Sequence, residues 1–291
     1  MVRASVAAAG LGLGLATSCA PGCARMPEMP PPAELAASAG PALASAPLLA
    51  RPGEQMRWRV RVGPFGGGSM QLQVAPPARV DGRPVAVLRG QFATSGIASL
   101  FENRSSDETT WIDLATGRLL RYRSHAIDGG ARSTVEASFA PGLVRVVDRS
   151  RGRTTRRWQR VPGDGAPLNM YAALLALRTW PERATGAVTL SVWARSRLWR
   201  ATVKTPGAVM LNTALGRLRA HRIDGVAWRV RRDGSADPDA QPRRFRLYVS
   251  ADQRRLPLLV ETDSRFGLVR AELVVYRAPS APALSFGPRG G

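Results

Sequence analysis

From Gly53 onward the chain alternates apolar and polar residues every second position, and this period limits what it can fold into. Met56, Trp58, Val60 and Val62 alternate with Arg57, Arg59 and Arg61. An extended strand of this pattern carries apolar side chains on one face and guanidinium groups on the other. Gly66-Gly67-Gly68 reads as a turn, after which Met70, Leu72 and Val74 alternate with Gln71 and Gln73. The pair is a hairpin with one wet face. The glycine run is not a phosphate loop, because it lacks a Gly-Lys-Ser/Thr ending and a strand follows it. Trp111 to Leu114, a Thr116-Gly117 turn and Leu119 to His125 form a second hairpin. Asp128-Gly129-Gly130, Pro141-Gly142 and Arg151-Gly152 punctuate further strands at a spacing of about 8–12 residues, as in sandwiches and barrels. Late in the chain Phe245, Leu247 and Val249 alternate with Arg244, Arg246 and Tyr248, and the runs Leu256 to Glu261 and Leu268 to Tyr276 make a closing hairpin.

One segment breaks the rhythm. Leu168 to Trp180 is rich in Leu, Ala and Met and is stopped by Pro181, which predicts a helix. The expected fold is mainly β: a single domain over 53–278 built as a strongly curved antiparallel sheet, open-barrel or sandwich-like, with this one central helix packed on its concave face. Asp233 to Pro242 follows neither period and reads as a polar loop.

Composition agrees with a folded domain, since 44% of the 291 residues are hydrophobic and 22% charged. The net charge of +21 is almost entirely arginine, Lys204 being the only lysine. Arg-rich strands read as a solvated surface, or as an attraction to anionic partners such as lipid head groups, polysaccharide or nucleic acid. The only cysteines, Cys19 and Cys23, precede the domain. No disulfide or cysteine metal cluster within it is to be expected, and burial must hold it together.

The N-terminus reads as an address. Arg3 precedes an apolar run from Ala4 to Thr17, of signal-peptide length and short of the roughly 20 residues a span needs. Leu15-Ala16-Thr17-Ser18-Cys19 resembles the lipobox of bacterial lipoproteins, with Ala16 where that family prefers leucine. The resemblance implies cleavage before Cys19 and acylation of its thiol; ordinary signal cleavage is the alternative. The expected organisation is a signal peptide over 1–18, a Pro/Ala-rich tether over 19–52, the β-rich domain over 53–278 and a disordered tail over 279–291. The tether includes Pro30-Pro31-Pro32 and would reach about 30 Å as a flexible chain.

Several local motifs within the domain resemble one family of exported bacterial proteins, domain of unknown function 3108. They are Gly53-Glu54 before the first alternating strand, Ile112 to Leu119 with its Asp113 and Thr116-Gly117 turn, and the helix ending in Leu177-Arg178. The most specific is the run Val249 to Pro257, followed by Gly267 to Leu273. The helix start departs from the pattern, with Asn169-Met170 where Asp and Ser are common. The resemblance implies an exported, antiparallel, β-rich single domain and supplies no activity. The Ser250–Pro257 run also has a structural reading, Asp252 accepting backbone N–H bonds within a turn and Pro257 opening a strand.

Catalytic chemistry is hard to find. The two histidines, His125 and His221, sit in strand patterns without metal-ligand spacing, and there is no Gly-x-Ser-x-Gly elbow. Asp233, Ser235, Asp237 and Asp239 resemble the start of a calcium loop, but the glycine is missing at the sixth position and Arg244 stands where a bidentate glutamate belongs. Asp107 and Glu108 are adjacent, so a strand would point them to opposite faces. The basic clusters Arg153-Arg156-Arg157-Arg160 and Arg229-Arg231-Arg232 lack the interleaved Tyr and Phe of a single-strand nucleic-acid platform, although Trp158 and Trp228 sit close by.

The sequence therefore names no catalytic, metal or cofactor residue, and Cys19 alone as a modification site. The first functional reading is a non-catalytic binding or carrier module for a lipid or other amphipathic ligand. It would be exported, face the periplasm and be held to the envelope, at the outer membrane, through Cys19, or else be soluble in the periplasm. The second reading is a structural or interaction scaffold whose concave face is filled by its own side chains. The third is a hydrolase of envelope polymer. Nucleic acid is not expected as a partner.

Overall fold

The computed structural model describes residues 48–63, 65–96, 103–161, 166–180, 186–194, 197–264 and 267–284, within one compact unit, Pro32–Gly291. The expected signal segment and Cys19 lie outside them. Fifteen strands form one sheet among the described residues. The first eight are β1 (Gln55–Val62), β2 (Phe65–Val80), β3 (Arg83–Thr94), β4 (Arg104–Asp113), β5 (Leu119–Asp128), β6 (Ala131–Ala140), β7 (Leu143–Ser150) and β8 (Arg153–Arg160). The two-residue β9 (Leu168–Asn169) leads into the helix α1 (Met170–Leu177). The remainder are β10 (Val188–Ala194), β11 (Arg197–Thr213), β12 (Gly216–Arg229), β13 (Arg243–Ser250), β14 (Pro257–Ser264) and β15 (Gly267–Arg277).

The order across the sheet is β8-β7-β6-β5-β4-β3-β2-β1-β15-β14-β13-β12-β11-β10-β9. Each half is an antiparallel meander, as short turns allow. The halves join where β1 pairs with β15, from Gln55 opposite Arg277 to Val62 opposite Val269. Only β9 on β10 is parallel. The sheet is open, since its outermost strands β8 and β9 do not pair with each other. It is nonetheless curled. Tyr122, Ala137, Val144 and Val146 from one flank pack in a single apolar cluster with Trp193, Leu198 and Val230 from the other.

The predicted alternation is visible in burial: Met56, Trp58 and Val60 are buried while Arg57, Arg59 and Arg61 are exposed. The main core joins these to Leu72, Leu88, Ile112, Ile223, Leu247, Leu258 and Leu273, and to helix residues Tyr171, Leu174, Leu175 and Leu177. Every residue of α1 from Tyr171 onward is buried. Its ring Tyr171 lies so close to Gly90 of β3 that a Cβ there would overlap the ring.

Two sequence expectations shift. Gly66-Gly67-Gly68 is not the turn: the chain reverses around Gly63, at φ +57°, and the three glycines lie inside β2, where the register slips between Val60 and Arg61 of β1. Gly68, at φ +143°, lies against the Ala93 carbonyl and leaves no room for a Cβ. The helix starts two residues later than expected, because Asn169 is its N-cap. The Asn169 side chain accepts from the Ala172 N–H at 2.8 Å and donates to Thr110 Oγ1 at 2.6 Å. Packing also extends to segments flanking the strands. Leu48 and Ala50 are buried in the core, and Ser280 and Leu284 donate backbone bonds to Pro52 and Ala50.

Candidate functional site

Three of the motif segments, far apart in sequence, meet at one buried ion pair. Arg178, just past the helix, and Glu54, just before β1, are both 0% exposed. Arg178 Nη1 and Nη2 donate to the two Glu54 carboxylate oxygens at 2.7 and 2.8 Å. Its remaining donors go to backbone carbonyls: Nε to Arg255 and Nη2 to Arg254, each at 2.8 Å, and Nη1 to Leu49 at 3.1 Å. All five guanidinium donors are satisfied, which is what a charge this deep requires. The Val249–Pro257 run supplies those carbonyls through a tight turn. Ser250 Oγ accepts from Leu256 N–H and donates to Asp252 Oδ1, both at 2.7 Å. Asp252 Oδ1 accepts from Arg254 N–H at 3.2 Å, and Arg255 turns the chain at φ +54°. Pro257 opens β14, its carbonyl accepting from Trp58 Nε1 at 2.8 Å. These residues clamp the two ends of the domain and the helix together.

Polar side chains also gather on the inner face of β4 and β5. Ser106, Thr110, Tyr122 and Ser124 are buried there, and Glu108 is half-buried beside them. The Tyr122 hydroxyl is hydrogen-bonded to Ser124 and Glu108. Burial, and then the Glu108 charge, push this phenol far above its ordinary range. Tyr171 on the helix is shifted the same way, first by burial and then by Glu108. Both phenols therefore stay protonated at neutral pH and act as hydrogen-bond donors and acceptors. Asp107 points outward to Gln91 Nε2 at 2.8 Å, so the two adjacent carboxylates face opposite sides as strand parity required. Sequence reasoning missed the Glu108–tyrosine group. Its signal was there: Ser106, Glu108 and Thr110 are polar at the positions where alternation calls for apolar residues.

On the outer face lies an open groove of about 220 Å³, lined by Gln55, Met56, Arg57, Gln71, Val275 and Arg277. It sits beside the register slip between Arg57 and Trp58 and is small for a ligand site.

The two basic clusters come together at the curled sheet's seam. Arg160 N–H donates to the Arg232 carbonyl at 3.2 Å and Gln159 Nε2 to the Val230 carbonyl at 3.2 Å. Burial lowers the Arg157 pKa; among its charged neighbours Asp148 works against this and Arg232 and Arg197 add to it. Trp158 is 57% exposed, with the Arg145 guanidinium 5.5 Å above its ring. The histidines are separate: His125 contacts Thr134 Oγ1 at 3.1 Å on the exposed side of β5, and His221 lies on β12. The calcium-like loop directs its carboxylates to its own turn and to arginines, Asp233 to Ser235 and Asp237 to Arg229 and Arg231. Among the described residues no group of three His, Cys, Asp or Glu could hold a metal, and no helix is long and apolar enough to cross a membrane.

Among solved structures, one shares the fold at low sequence identity. A beta-barrel-like protein of domain of unknown function DUF1849 from Brucella abortus superposes with a TM-score of 0.53 at 10% identity, over 80% of this chain and 100% of that one. A protein provisionally described as a lipoprotein from Parabacteroides distasonis gives 0.33 at 6% identity, over the same shares. One provisionally described as exported, with a YmcC-like fold, from Bacteroides fragilis gives 0.32 at 9% identity, again over 80% and 100%. No curated protein matches the sequence. The profile of the family described as "Protein of unknown function (DUF3108)" matches residues 55–274, from β1 to β15, and the chain belongs to that family.

Proposed function

We propose that the protein is an exported, non-catalytic interaction module of the bacterial envelope, anchored through Cys19, whose working surface is its exterior. The observation that carries this reading is the burial of α1 from Tyr171 to Leu177 within the main core. On this reading the sheet wraps its concave face around its own helix and leaves an acyl chain no room beside it. Trp58 and Trp193, both fully buried, support the same view. The Glu108 group supports binding over hydrolysis: among the described residues one carboxylate, Glu108, lies on the inner face beside two protonated phenols, whereas glycoside cleavage uses two facing carboxyl groups. The apolar run before Cys19 supports export and anchoring.

The test is mass spectrometry on an organic extract of the purified full-length protein. A clean extract from a folded sample is expected. A stoichiometric non-covalent lipid would overturn the filled interior in favour of the carrier reading. Cys19→Ser is expected to move the protein from the membrane fraction to the soluble periplasmic fraction; an unchanged distribution would remove the anchor.

A further inference from the structure

We infer that the free edge of β8 receives an extended acidic segment of a partner polypeptide as an added strand. This rests on the exterior-surface reading above and names the partner chemistry. In an antiparallel pair, successive residues direct their backbone groups to alternate sides. Val161 N–H donates to the Gly142 carbonyl, towards β7, while Arg160 N–H donates away from β7 to the Arg232 carbonyl. The same alternation aims the N–H and C=O groups of Thr154, Arg156 and Trp158 at the free side. The chain therefore already covers one position of this edge with its own Val230–Arg232 segment and, among the described residues, leaves the next three as a strand-addition template.

The side chains select the occupant. Thr154, Arg156 and Trp158 are exposed, as are Arg153, Thr155 and Arg160. Arg153, Arg156 and Arg160 have no ion pair among the described residues, in contrast to Arg149 of β7, whose Nη1 lies 2.8 Å from Glu136 Oε2. Arg153 lies on one face of the strand and Arg156 and Arg160 on the other, so an added strand meets positive charge on both sides. A second copy of β8 would set arginine against arginine, which opposes self-pairing. A segment carrying Glu or Asp on both faces gains main-chain bonds and charge pairing together. Trp158, half-covered by Arg145, offers an aromatic contact at the centre of the edge.

The experiment uses the full-length protein and a capped eight-residue peptide of repeating Glu-Glu-Thr-Thr, which carries Glu on both faces of a strand, followed by amide hydrogen exchange at Thr154, Arg156 and Trp158. The peptide should slow exchange at these three amides. Affinity should fall at least tenfold in the Arg153→Glu/Arg156→Glu variant and fall with salt. The same peptide N-methylated at every residue has no backbone N–H to donate on either edge and should not protect. Equal protection by the methylated peptide would overturn the proposal, as would unchanged affinity in the charge-reversed variant. Protection by phosphatidylglycerol vesicles but not by peptide would assign the patch to a membrane surface and overturn it too, and protection that grows with protein concentration alone would assign the edge to self-association. A lipid in the organic extract would remove the filled-interior reading while leaving these exchange results standing, so the two failures are distinguishable.

Discussion

Arg178 and Arg156 are the same side chain in opposite circumstances. Arg178 is fully buried, with all five donors engaged by Glu54 and three carbonyls. Arg156 is exposed on the sheet's outermost strand. The first joins the stretch before β1, the helix end and the β13–β14 turn into one unit; the second has no ion pair among the described residues. A strongly basic composition is therefore not one property: part of it is architecture, and part is surface left for something else.

The sharpest way to break this contrast is at the buried pair. Arg178→Ala is expected to cost about 3–5 kcal/mol, because it leaves Glu54 charged, buried and unpaired, and urea denaturation measures it. The double variant Glu54→Leu/Arg178→Met should be less destabilised than either single one; if it is worse than both, the pair contributes net stability beyond mutual neutralisation. Next in size is Asn169→Ala, which removes the helix cap and the bond to Thr110 and should cost about 1–2 kcal/mol by the same assay. Alkaline pH probes the interior phenols. Their folded-state pKa values lie above the ordinary value, so the stability they contribute is complete below about pH 10 and is lost as pH rises beyond it. Tyr122→Phe should flatten that alkaline loss in a pH series of melting temperatures. Smallest is Arg156→Ser, expected to change stability by no more than about 0.5 kcal/mol; a larger loss would mean that the edge arginines serve the fold after all.

Much of this architecture was legible. Alternation gave the strands around Trp58 and Leu247, Thr116-Gly117 and Pro141-Gly142 marked real reversals, and the Leu- and Ala-rich run after Leu168 marked the helix, which ends at Leu177. What was not legible is non-local. The contact between Glu54 and Arg178 spans 124 residues, and no local pattern announces it, although both residues belonged to motifs that resembled one family. The glycine run misled because a glycine needed for close backbone approach looks, in sequence, like a glycine needed for a turn. In sequence Glu108 has Asp107 beside it; its real companions come from the next strand and from the helix, which a single strand's pattern does not contain.

The pairing of β1 with β15 has a consequence for how the chain is made. A polypeptide emerging from a ribosome or a translocase delivers β1 first and β15 last, yet the two are hydrogen-bonded neighbours in the middle of the sheet. The β1–β8 meander can assemble as it emerges, but β1, its inner edge, stays bare until β15 arrives, more than two hundred residues after Val62. Synthesis thus passes through a long interval in which a half-sheet with one unfinished margin is exposed to its surroundings. A chain cut short before Gly267 never leaves that interval, and its β1 and β14 margins remain open to whatever strand comes by.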